Sequence, residues 1–135
     1  MAGKFEIILF LTLFGYEVKA QHLIGLSKED VIKKMQETSF VIDKTSRNTT
    51  FSYLKYVHRL EEKTFLVFLS KENICTSTKL MSDYSSFKST LAEFNKKYKK
   101  AGSMEWTYKI EGITYKVLVR KEEWFYSVIV TTKTK

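Results

Sequence analysis

The chain of 135 residues contains no proline, one cysteine, five glycines and two histidines. With no proline and no Gly/Ser-rich stretch, nothing reads as a linker between domains. A single cysteine, Cys75, rules out an intramolecular disulfide and any multi-cysteine metal site. The β-branched context Ile74-Cys75-Thr76 reads as strand, with the thiol buried as a small hydrophobe. The histidines, His22 and His58, belong to no H-E-x-x-H or similar ligand spacing. A nucleophile elbow, a P-loop and a dinucleotide glycine pattern are also missing. The expectation is a protein without metal or cofactor that is not an enzyme. The one nucleophile–base pair the composition allows is Cys75 with His58, and chance co-occurrence explains that pair better. Glu61-Glu62 and Glu122-Glu123 fall in expected turns beside basic residues, where solvated charge is the ordinary explanation.

What is present begins with a leader. Lys4 precedes the apolar run Ile7–Gly15, and Val18-Lys19-Ala20 offers the residues that a signal peptidase inspects. The run is shorter than the ~20 residues a bilayer span needs. The sequence therefore predicts a signal peptide over 1–20 and a single exported domain over 21–135, periplasmic or secreted. No second long apolar stretch and no cysteine near the cleavage point follow, so the processed product carries no membrane span and no lipid. Lys4 and Lys19 cancel Glu6 and Glu17, and the domain keeps the net charge of +8. Such a charge favours anionic surfaces or acidic proteins. Apolar residues at 44% and aromatic residues at 15% are ample for a core.

Two helices are readable. Ser27 caps the first, with Asp30 at the capping-box position and Val31 and Met35 on the apolar stripe. Tyr84, Phe87, Leu91, Phe94 and Tyr98 share one face of the second, Asp83 caps its start, and Lys96 to Lys100 lead to a stop at Gly102. Residues 43–50 read as a polar loop, and Asn48-Thr49-Thr50 within it matches the N-glycosylation pattern. Strands are expected over 51–57, 64–69, 74–81, 105–110, 113–119 and 124–130, the last with Trp124, Tyr126, Val128 and Val130 on one side. The fold class is α+β: two α-β-β-β units forming one antiparallel sheet of six strands, with both helices on one face.

Gly25-Leu26-Ser27-Lys28-Glu29-Asp30-Val31 is similar to the Gly-x-Ser/Thr-x-x-x-Val opening of small envelope domains of the SmpA/OmlA type. Tyr53-Leu54-Lys55-Tyr56 and Trp106-Thr107-Tyr108 stand where that family places its aromatic first strand. The architecture also resembles the β-lactamase-inhibitor-protein-like fold, which repeats such a unit, and a secretion-chaperone-like fold is its nearest rival. The resemblance spans most of residues 25–131 and implies a role in binding proteins of the envelope or outside it. It assigns no site residue.

The outward positions of the sheet carry the candidate site. With Tyr115, Val117 and Val128 beneath the helices, Leu118, Phe125 and Ile129 point the opposite way, where water ordinarily selects polar residues. Either Leu54 and Tyr56 or Leu66 and Phe68 extend this stripe. Lys97 and Lys100, with Lys109, Lys116 and Arg120 in the same basic set, supply the electrostatic rim. No recognised nucleic-acid motif accompanies them. The expected partner is a protein or an anionic envelope component, or a second copy in a homodimer.

Overall fold

A computed structural model describes residues 23–47, 52–58 and 60–133. The expected leader, Met1–Ala20, and the sequon at Asn48 lie outside the described residues.

The chain enters through Leu23, fully buried, and a short backbone pairing with the start of a later strand. Gly25 N–H donates to the Cys75 carbonyl and Cys75 N–H to that of Leu26, both at 2.8 Å. Helix α1 follows at Lys28–Met35. Ser27 caps it by accepting from Asp30 N–H at 3.2 Å, and Val31 and Met35 face the core. Thr38 ends this region: its hydroxyl donates to the Met35 carbonyl at 2.7 Å and accepts from Phe40 N–H at 3.2 Å.

Strands β1 (Phe40–Arg47), β2 (Ser52–His58), β3 (Lys63–Leu69) and β4 (Cys75–Ser82) then form a meander. A 3-10 turn at Tyr84–Ser86, capped by Asp83, leads into α2 (Phe87–Lys97). A second meander follows: β5 (Lys99–Gly102), β6 (Glu105–Ile110), β7 (Ile113–Lys121) and β8 (Tyr126–Thr132). The two meanders join through β4 and β8 into one antiparallel sheet of order β1-β2-β3-β4-β8-β7-β6-β5.

The sheet thus has eight strands, and the six-strand expectation is corrected. Each helix is followed by four strands, not three. The additional strands are the two edges, where no strand signal is needed because an edge has one partner and little to bury. In β1 the polar run from Asp43 pairs with β2 through a bulge between Ile42 and Lys44, although it reads as loop. In β5 the wholly exposed Lys-Lys-Ala-Gly pairs with β6, although its lysines read as a helix end. Tyr98 is already extended, at φ −118° and ψ 163°, so α2 stops before Gly102. Trp124 also departs from expectation: it precedes β8 and is 79% exposed.

The core lies between the helices and the inner face of the sheet. Leu54, Tyr56, Phe65, Val67, Leu80, Trp106, Val117, Val119, Val128 and Val130 alternate into it. Helix α2 is fixed at both ends by polar pins. Tyr126 Oη lies 2.8 Å from Ser86 Oγ and 2.9 Å from Thr90 Oγ1, and Trp106 Nε1–H donates to Asn95 Oδ1 at 2.9 Å. Between the pins, Phe87 meets Tyr126 and Phe94 meets Trp106 edge to face. Beyond α2, the rings of Tyr98, Tyr108 and Tyr115 stack at successive 4.9 and 5.0 Å spacings.

Candidate functional site: the outer sheet face

Because strand side chains alternate, the residues between the buried ones stand on the opposite face, and among the described residues no helix covers them. Register gives their neighbours. The central row runs Leu118, Ile129, Lys79, Leu66, Lys55 across β7, β8, β4, β3 and β2. The row on one side is Lys116, Thr131, Ser77, Phe68, Tyr53, with the last two rings 6.1 Å apart. The row on the other side is Arg120, Ser127, Met81, Thr64, Val57. Leu66, Phe68, Met81, Leu118 and Ile129 are each partly exposed, as is Lys79. Leu66 and Phe68 therefore extend the stripe, whereas Leu54 and Tyr56 belong to the core.

The cations divide into two groups. Lys55 lies 3.5 Å from Asp43 and Arg120 3.4 Å from Glu122, while Lys79 and Lys116 have no ion-pair partner among the described residues. Lys97 and Lys100, expected at the rim, are on the helix side. Lys97 pairs with Glu93 at 3.5 Å, and the Lys100 ammonium lies 4.7 Å from the ring centre of Trp106, an inner-face residue. The structure brings Leu118 and Ile129 together and leaves these two lysines elsewhere. Lys79, missed in the sequence, holds the centre; nothing local distinguishes it until register sets it between Leu66 and Ile129. Ser127, on the same face, is fully buried, and its hydroxyl has no hydrogen-bond partner.

Phe125 sits just before β8 and lines an open cleft of about 690 Å³ at the end of the sheet. The cleft is continuous with the outer face through Val57, Thr64 and Met81. Its walls include Leu60, 92% exposed, and Trp124, at the tips of the β2–β3 and β7–β8 connections. The polar groups here are engaged in structure. His58 Nδ1 accepts from the N–H groups of Leu60 and Glu61 at 3.2 and 3.1 Å, so the imidazole braces the turn. Glu61 pairs with Lys63 at 3.1 Å, and Asp83 accepts from Ser85 Oγ at 2.6 Å.

Cys75 and His58 do not meet. Cys75 is level with Leu69, at the far end of β3 from Lys63 and the His58 turn, roughly 20 Å away at strand rise. Burial pushes the Cys75 thiol up to about 12, partly opposed by a backbone hydrogen bond at Ser77, which leaves it a poor nucleophile. Among the described residues no group of three His, Cys, Asp or Glu side chains is placed to hold a metal ion, and no helix is long and apolar enough to cross a membrane. Compared with protein-family models, curated proteins and solved structures, the chain matches none, so its function is read from this geometry.

Proposed function

We propose that this chain is a small exported binding domain that engages a protein partner through the outer face of its sheet. One observation carries the reading: Leu66, Phe68, Met81, Leu118 and Ile129 cluster on a face that no described helix covers. A sheet face meant only for water ordinarily alternates to polar residues, and a contiguous apolar patch costs solubility unless something covers it. The resemblance to envelope domains of the SmpA/OmlA type points toward the same kind of role, in the periplasm or outside the cell. The net charge of +8 adds long-range attraction toward acidic partners.

The test is substitution on the outer face with fold and partner capture measured separately. Phe125→Ser and the double variant Leu118→Ser/Ile129→Ser are expected to keep the native circular dichroism spectrum and lose cross-linking to the partner in intact cells. Undiminished cross-linking by both variants would sink the reading.

A further inference from the structure

We infer that the partner surface seated on the outer face presents a carboxylate ringed by apolar side chains, and that Lys79 is the group that reads it. The inference rests on the outer-face reading above and adds the chemistry of the occupant.

The argument starts from what surrounds Lys79. Leu66 stands beside it on β3 and Ile129 on β8, and Met81 is the next outward residue along β4. Any surface that covers these apolar groups must also cover the ammonium in their midst. Lys79 makes no ion pair among the described residues, so its water would be stripped with no internal compensation. An uncompensated buried ammonium offsets the gain from several apolar contacts, and an opposed carboxylate removes that penalty. An apolar partner without an anion is therefore a poor fit, and a cationic one is worse. Lys116, equally without an ion pair, lies one row away and repeats the preference toward the rim.

Two other occupants fit less well. A second copy laid face to face would oppose two lysine-centred surfaces, each on a chain of net charge +8. A membrane would require apolar groups that reach past the charged ones. On this face side chains stand roughly perpendicular to the sheet, so the lysines project farther than Leu66, Ile129 or Leu118. Leu60 and Trp124, the most exposed large apolar side chains among the described residues, are at the end of the sheet instead.

A displayed library of random peptides, panned against the full chain, tests this without a known partner. Wild type should enrich sequences with Asp or Glu between apolar residues. Those peptides should bind Lys79→Glu at least about tenfold more weakly, a change of about 1.4 kcal/mol. Lys79→Glu panned in its turn should enrich Lys or Arg at the same place. Enrichment without acidic preference, enrichment of the same sequences on both proteins, or no enrichment at all overturns the inference. Peptides that bind Leu118→Ser/Ile129→Ser as tightly as wild type would instead remove the outer-face reading itself. Sedimentation with phosphatidylglycerol vesicles, abolished by Lys79→Glu and not seen with phosphatidylcholine, would assign the face to a membrane. Self-association abolished by the same substitution would assign it to a second copy. Either result replaces the acidic protein surface.

Discussion

The two faces of this sheet are made by the same strands, yet they solve different problems. On the inner face nearly every side chain is buried; Tyr126 is bonded to Ser86 and Thr90 and Trp106 to Asn95, while the buried hydroxyls of Tyr56 and Tyr108 have no hydrogen-bond partner among the described residues. On the outer face apolar residues of the same kinds stay partly exposed, and their central charge, Lys79, has no ion-pair partner among the described residues. The inner face is closed by its own helices, and among the described residues no helix closes the outer one. A buried polar group left unbonded carries a cost within the fold, whereas a surface charge can stay solvated until an incoming molecule pairs with it. The faces should therefore respond oppositely to substitution: stability changes on the inner one, capture on the outer one.

The largest effect is expected at Trp106, which is wholly buried, meets Phe94 and ties α2 to β6. Trp106→Ala should cost about 3–5 kcal/mol, seen as a lower urea midpoint. A loss below 1 kcal/mol would mean that α2 is not held through this ring, and the contrast between faces would lose its main support.

Next comes alkaline pH, through two groups on the buried side. Burial raises the Cys75 thiol to about 12 from 9.0, and it raises Tyr108, which the neighbouring Tyr98 and Tyr115 push further. Each group stays protonated in the fold after its unfolded counterpart has begun to ionise. The unfolded state then binds fewer protons, so stability is full below about pH 9 and falls as pH rises toward 12. Cys75→Ala and Tyr108→Phe should each flatten that decline in denaturation midpoints measured between pH 8 and about 11. An unchanged alkaline slope in both variants would contradict the burial of these groups.

A smaller loss is expected at the pin beside the start of α2. Tyr126→Phe removes one hydroxyl but leaves Ser86 and Thr90 short of a partner, so the cost should be about 1–2 kcal/mol in the same assay. Adding Thr90→Val should recover part of it, because the orphaned hydroxyl goes too. If the second substitution only adds to the loss, Thr90 is held by something other than Tyr126.

How much of this could be read in advance follows from what each residue needed. The inner strands and the hearts of both helices were legible because burial imposes periodicity: Val31 and Met35 in α1, Phe87, Leu91 and Phe94 in α2, Tyr115 to Val119 in β7. The edges were not: β1 is a polar run from Asp43, β5 is wholly exposed, and both are strands because a neighbour pairs with them. Tyr84 and Tyr98 fit the helical spacing of α2, yet one lies in the 3-10 turn before it and the other is the extended residue after it. The site was half legible for the same reason. Leu118 and Ile129 stand out as apolar residues at outward positions, whereas assigning lysines to that face requires knowing which strands are adjacent. Lys97 and Lys100 looked clustered along the chain and instead cover Tyr98 and Trp106 on the helix side.

The smallest stability effect should come from the outer face, and there the comparison is sharpest. Leu118 and Ile129 face each other across β7 and β8, each already partly in water. Leu118→Ser gives up only the fraction of apolar burial that the neighbouring strands provide, so the urea midpoint should move by less than about 0.5 kcal/mol equivalent. Partner cross-linking should nonetheless fall steeply, because burial of Leu118 would be completed only on binding. A stability loss as large as that of Tyr126→Phe would mean that Leu118 is already packed as a core residue, and the outer face would then be a second core layer closed from within the chain.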